Sequence, residues 1–398
     1  MPEIEIRPDI YWIGVNDRTT DLFEGVWPIT QEGVSYNSYL INDEKKVIIE
    51  LAKAGKADEF FSYIEEITPL REIDYLVLNH LEPDHTGILR TFRRIAPHAT
   101  ILSTPKAKEM IKSFYGITEN VKSVEDGETL SLGKKKLQFF YAPFLHWPET
   151  MVTYETTQHI LFSCDAFGGY GALRGAIFDD DYKDLSFYLK ESLRYYVNIV
   201  AKYTRPVLKA IEKLSGLPIE VIAPSHGLIW RKDPGFIVNL YQKWSQYATG
   251  NTEAGITLVY SSMYGNTEKM MNAVAEGISE TGIPLEIFDA SRTHVSYILP
   301  SLWTKVGVMI GSPTYESKLF PPVAQVLEMA ALKNIMNKKA AFFGSYGWAG
   351  GALKHFQKIA ENIKWELLDS LSFTGSPTAE ELKKGKELGI KFAKALLG

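Results

Sequence analysis

Cysteine is almost absent. Cys164 stands alone among 398 residues, which excludes an intrachain disulfide and a Cys-ligated iron centre within the chain. A redox centre of that kind is therefore expected on a separate molecule. The setting of Cys164 in ILFSCD (160–165) reads as a buried small hydrophobe rather than a reactive thiol. No run of about 18 apolar residues occurs, so no membrane span is expected. The opening segment, MPEIEIRPDIYW, is acidic and lacks an apolar signal core. Basic blocks are missing too, and the formal net charge is -5, which argues against a nucleic-acid partner. These absences point to a soluble, cytoplasmic protein with no membrane or nucleic-acid association. What remains is an ordinary globular balance, 45% hydrophobic and 23% charged. The length exceeds one ordinary core and suits two domains.

The chain divides near residue 250, giving expected domains 1–250 and 251–398. The first half mixes short β-branched and aromatic runs with a few helical patterns. Strands are expected at 10–15, 37–41, 46–50, 75–80, 136–143, 151–156, 160–165 and 221–226, and helices around 55–66, 86–95, 105–114 and 184–213. SQYATGNTEAG (245–255) is small and polar and reads as a linker. Beyond it, apolar strands at 256–260, 284–290, 305–311 and 339–345 alternate with helical segments. That rhythm predicts a doubly wound parallel sheet.

Two constellations carry chemistry. The strand YLVLNH ends in His80, and His80, Glu82, Asp84 and His85 fall within six residues at a strand-to-loop boundary. A loop turns successive side chains towards one point, where a strand would alternate them across the sheet. His146, Asp165 and His226 each sit at the edge of another apolar run. Four histidines and three carboxylates from four segments suffice for two metal ions sharing one carboxylate. Singly, each has a plainer reading, as a satisfied histidine, a turn aspartate or a helix cap; the compact run 80–85 resists that reading. His98, His159, His294 and His355 have no such carboxylate cluster and are expected to be structural or surface residues.

The second constellation follows ITLVY. Ser262, Met263, Tyr264, Gly265, Asn266 and Thr267 lead into a helical run, so helix-terminal N–H groups and hydroxyls converge as a phosphate site requires. The loop contains neither the lysine of a Walker A motif nor G-x-G-x-x-G. Ser312, Pro313, Thr314 and Tyr315 follow one later strand, and Ser345, Tyr346, Gly347, Trp348 and Gly350 follow another. Both lie where open α/β sheets bind ligands, with aromatics able to flank a planar ring.

The first half resembles a metallo-β-lactamase-type αββα sandwich, with H-x-E-x-D-H where that superfamily has H-x-H-x-D-H. The second half resembles a flavodoxin. The fusion resembles the flavodiiron proteins, over nearly the whole chain. Glu82, Asp84 and Asp165 make an oxygen-rich set that suits iron better than a His-rich zinc site does. By resemblance, His80, Glu82 and His146 hold the iron nearer the flavin, Asp84, His85 and His226 hold the other, and Asp165 bridges them. The loops 262–267, 311–316 and 345–351 would hold FMN. The resemblance implies reduction of dioxygen to water, or of nitric oxide to nitrous oxide. Electrons would pass through FMN from an external donor, a separate rubredoxin or a reduced deazaflavin. It also implies a head-to-tail homodimer, or a dimer of dimers, that brings the FMN of one subunit beside the metals of the other. Trp147 and Tyr195 are expected at the catalytic pocket. Some relatives carry a histidine where this chain reads Leu22-Phe23-Glu24-Gly25-Val26-Trp27; Glu24 takes its place, and the preference between the gases stays open. The alternatives are a zinc-dependent hydrolase with a regulatory flavodoxin domain, and a non-enzymatic electron carrier with a structural metal domain.

Overall fold

A computed structural model describes residues 4–397, so Met1, Pro2 and Glu3 of the acidic opening segment, and Gly398, lie outside the described residues. The chain forms two compact units, residues 1–242 and 243–398.

The first unit contains two mixed sheets. One has seven strands in the order Ile4–Arg7, Ile10–Trp12, Tyr39–Asn42, Lys46–Ile49, Tyr75–Val77, Thr100–Ser103 and Val121–Ser123. The other has five: Thr129–Ser131, Lys136–Tyr141, Met151–Glu155, Ile160–Cys164 and Val221–Pro224. Met151–Glu155 and Ile160–Cys164 are buried on both faces. The two sheets touch through side chains. The Tyr39 and Phe162 rings lie 5.0 Å apart, and Tyr39 Oη donates to the Pro224 carbonyl at 2.6 Å. Amphipathic helices cover the sheets; Ala57–Ile67, for example, buries Phe60, Phe61 and Ile64.

The expected strands and helices of this unit appear with several differences. The run 10–15 divides at Ile13 and Gly14, and its second part pairs as Val15–Asp17 with Val34–Tyr36. The short strands at 100–103, 121–123 and 129–131 carry weak alternation and escaped the sequence reading. The single helix expected over 184–213 is broken. Ser186–Tyr195 gives way to a π-helical turn, Tyr196–Val200, and a 3-10 turn, Ala201–Tyr203, before Thr204–Leu214 resumes. Pro206 supplies a reason for the restart, because it has no N–H to donate one turn back.

The second unit is a five-stranded parallel sheet in the order Leu285–Asp289, Glu253–Tyr260, Lys305–Gly311, Lys339–Tyr346 and Glu366–Thr374. That is the 2-1-3-4-5 order of a flavodoxin-like fold. Ile256, Leu258, Met270, Val274, Phe343 and Phe392 share its buried core. The last strand is half-exposed and alternates poorly, and the sequence reading missed it. Among the described residues no helix is long and apolar enough to cross a membrane.

Candidate metal centre and flavin cavity

The metal-type ligands gather at strand ends. His80 follows Tyr75–Val77, Asp165 follows Ile160–Cys164, and His226 follows Val221–Pro224. Cys164 has φ +56, which turns the chain out of the strand just before Asp165. The thiol itself is buried, and burial pushes its pKa well up, so it stays an inert core group. Pro83 opens a one-turn helix, Pro83–Thr86, that presents Asp84 and His85. His146 lies in the turn between Lys136–Tyr141 and Met151–Glu155.

All seven residues converge, as two groups: His80, Glu82, His146 and Asp165, and Asp84, His85 and His226. Asp165 Oδ2 lies 3.6 Å from His80 Nε2 and 3.2 Å from His146 Nε2. Its Oδ1 lies 3.1 Å from His85 Nε2 and 3.3 Å from His226 Nε2. Glu82 Oε2 is 3.3 Å from His80 Nε2 and 3.2 Å from His146 Nε2, while Asp84 Oδ2 is 3.3 Å from His226 Nε2. One carboxylate thus presents an oxygen to each group.

The fit to two metal ions can be judged from these atoms. Donors about 2.1 Å from a common cation stand roughly 3.0–3.4 Å from each other, and the observed separations centre there. Both oxygens of Asp84 and of Asp165, and Nε2 of His85, His146 and His226, are buried without a hydrogen-bond partner. So many orphaned buried polar atoms would be costly unless cations satisfied them. Tautomers agree. His80 Nδ1 donates to Glu149 Oε1 at 2.8 Å and His226 Nδ1 donates to the Ser35 carbonyl at 2.7 Å, which leaves each Nε2 lone pair for a metal. Burial alone would lower the imidazole pKa values. Bonds to Glu149 and Glu82 instead hold His80 at about 9, and the facing charges of Asp165 and Asp84 hold His226 at about 9. Cations at the two points replace those protons.

A cavity of about 830 Å³ opens onto Glu82 and Asp84. Phe23, Glu24, Tyr36, Lys53, Phe114 and Tyr115 help to wall it. Glu24 sits in a left-handed turn at φ +51, and its Oε2 accepts from Trp27 Nε1 at 2.9 Å. Trp147 and Tyr195 are not among the residues lining this cavity. They flank the imidazoles instead: the Trp147 ring stands perpendicular to His80 at 5.0 Å, and the buried Tyr195 ring lies 5.6 Å from His226. Sequence reasoning missed Glu149, Glu50 and Ser35, which stand behind the ligands. Glu149 alone left a trace, three residues after His146. Of the other histidines, His98 is exposed, His159 pairs with Tyr154 Oη at 2.7 Å, His294 caps a helix and His355 accepts from Leu319 N.

In the second unit a separate cavity of about 490 Å³ is lined by Ser262, Met263, Tyr264, Asn266, Thr267, Pro313, Thr314, Tyr315, Ser345, Tyr346, Gly347 and Trp348. Gly265 is the N-cap of helix Asn266–Ser279 at φ +87, a conformation that favours glycine. With no capping side chain, the first N–H groups of that helix are left for an anion. Ser262 Oγ accepts from Gly265 N at 3.0 Å, and Thr267 Oγ1 and Ser345 Oγ lie 2.9 Å apart, which fixes the loop. Ser312 and Gly350 do not line the cavity; Ser312 Oγ accepts from Phe320 N at 3.0 Å and donates to the Pro313 carbonyl at 2.9 Å. Glu316, Ser317, Ala349 and Gly375 complete the lining, and Gly375 went unread because its strand did. Among the described residues no Lys or Arg lines the cavity, so an anionic group there would rest on neutral donors. Tyr264 and Trp348 are 91% and 96% exposed, which leaves two aromatic faces open at its mouth. An anion cradle beside aromatic walls fits a phosphate-bearing planar cofactor such as FMN.

Comparison with known proteins agrees with both halves. The ODP family of beta lactamases matches residues 34–227, and the flavodoxin family matches residues 258–389. A nitric oxide reductase from Moorella thermoacetica is 33% identical over 395 residues, 98% of each chain. The rubredoxin oxygen:oxidoreductase of Desulfovibrio gigas superposes with a TM-score of 0.93 at 29% identity, covering 99% of this chain and 98% of that one. The flavodiiron protein of Giardia intestinalis does so at 0.94 and 30% identity, over 100% and 97% of the two chains. Two donor groups sharing Asp165, a flavodoxin-type cavity, and relatives matched from end to end lead to one conclusion: the chain belongs to the flavodiiron proteins.

Proposed function

We propose that this protein reduces dioxygen to water, nitric oxide to nitrous oxide, or both, at a diiron site, with electrons relayed through FMN from an external donor. The observation that carries this reading is Asp165, one buried carboxylate facing two complete donor groups. When bound, the irons supply electrons and a binding position for a diatomic gas, and FMN passes on electrons from the donor. The protein's own residues do the rest. His80, Glu82 and His146 would hold one ion, Asp84, His85 and His226 would hold the other, and Asp165 would present an oxygen to each. The largely apolar cavity above Glu82 and Asp84 admits a small neutral molecule. Trp147 and Tyr195 pack on His80 and His226 and keep those rings oriented. Ser262 through Thr267 would hold the FMN phosphate, and the segments around 312–315 and 345–350 would hold its ring.

The names of two relatives, a nitric oxide reductase and a rubredoxin oxygen:oxidoreductase, support both gases as substrates. The second name also supports a rubredoxin as donor, with a reduced deazaflavin as the other choice. We place the protein in the cytoplasm, as a head-to-tail homodimer or a dimer of dimers. A zinc hydrolase gains nothing from Glu82 or from a flavin cavity, and no observation favours it. Purified protein should hold about two irons and one FMN per chain, and its reduced form should be oxidised rapidly in anaerobic stopped-flow mixing with one or both gases. Iron-replete protein with reducible FMN and no turnover of either gas would sink the proposal.

A further inference from the structure

The two donor groups are alike in kind. Each offers two imidazoles, one carboxylate of its own and one oxygen of Asp165. Ligand type therefore gives two identical ions no reason to be held differently. What stands behind the ligands does differ. His80 Nδ1 donates to the Glu149 carboxylate at 2.8 Å. His226 Nδ1 donates to a neutral acceptor, the Ser35 carbonyl. On His85, Glu50 Oε2 lies 3.6 Å from Nδ1, beyond hydrogen-bond reach, and the other Glu50 oxygen accepts from Asn79 N at 2.7 Å.

Glu149 is enclosed. Its side chain has no solvent exposure, and among the described residues its ion-pair partner is His80 alone. Oε1 also accepts from Leu81 N at 3.0 Å, and Oε2 is buried without a partner. A carboxylate acceptor pulls on the Nδ1 proton and makes Nε2 a stronger donor than a carbonyl acceptor does.

We propose that Glu149, a positioning residue acting through His80, makes the His80–Glu82–His146 pocket the tighter metal position and leaves the Asp84–His85–His226 pocket the more labile. The inference rests on the diiron reading above. It is tested by challenging the full-length, iron-loaded protein with excess EDTA under anaerobic conditions and following iron release. The wild type should lose iron in two phases of equal amplitude. Asp84→Ala should remove the fast phase and keep the slow one, which tests the ranking without altering Glu149. Glu149→Gln keeps an acceptor oxygen but removes the charge, and it should speed the slow phase roughly 10- to 100-fold while sparing the fast phase. Glu149→Asp, which restores the charge, should fall between the two. Glu50→Gln should leave the slow phase unchanged. A merely structural Glu149 would make Glu149→Gln behave like the wild type, and that result overturns the inference, as does equal acceleration of both phases. A chain that never holds two irons fails the functional reading and this inference together, whereas two irons released in a single phase overturn this inference alone.

Discussion

At the scale of single residues, Asp165 carries more of the proposed chemistry than any other side chain. Burial opposes its ionisation, yet the facing imidazoles, His85 first among them, hold its pKa well below the usual carboxylate range. Because each of its oxygens faces a different donor group, Asp165→Ala should weaken both metal positions by on the order of tenfold or more. The loss of Asp84 should empty only one. Iron per chain, measured after gel filtration, separates the two variants, and an Asp165→Ala protein that kept both ions would rule out a shared ligand. The seven converging residues were legible in the sequence because metal chemistry demands rare residue types at strand ends, and His80, Glu82, Asp84 and His85 are crowded into six positions. Glu149, Glu50 and Ser35 were not legible. A residue that supports a ligand from behind needs only to be nearby in space; Glu50 and Ser35 have no spacing to betray them, and Glu149 has only its place three residues after His146.

At the scale of elements, ligand residues follow the carboxyl ends of strands in both units, and that placement made the loops readable before the sheets were known. Apolar strands such as Lys305–Gly311 and Met151–Glu155 announced themselves, being buried on both faces. Thr129–Ser131 and Glu366–Thr374 did not, because half-exposed strands carry little apolar signal. The break in the helix expected over 184–213 depends on burial around Tyr195–Ala201 and on Pro206, a tertiary matter that periodicity does not report. The flavin loops offer a test of element packing. A Cβ on Gly351 would run into the backbone of Ser317, so the loop after Lys339–Tyr346 lies directly on the tip of the hairpin Thr314–Leu319. Gly351→Val should push the hairpin away at a cost of about 1–3 kcal/mol, which corresponds to FMN binding weaker by roughly 5- to 150-fold. Metal content should be unchanged. Fluorescence titration of the apoprotein with FMN measures the effect, and wild-type affinity would mean that the hairpin does not need this contact.

At the scale of the whole molecule, the chain joins two units, one carrying the candidate metal groups and the other the flavodoxin-type cavity. Which flavin serves which metal pair is then a question about the assembly. In a head-to-tail dimer the FMN of one subunit serves the metals of the other, and defective subunits can complement each other. An Asp165→Ala chain would keep its flavin, and a chain with Thr267 and Ser345 replaced by bulky residues would keep its metals. Each alone should be inactive. Co-expressed in equal amounts, they give half heterodimers with one working flavin–metal pair each, so gas consumption should reach about a quarter of the wild-type rate per chain. Electron transfer confined within each chain predicts no activity, because no subunit then holds both sites intact. Activity absent from the mixture, with heterodimers verified by mass spectrometry, would assign both sites to a single chain and remove the need for a head-to-tail arrangement.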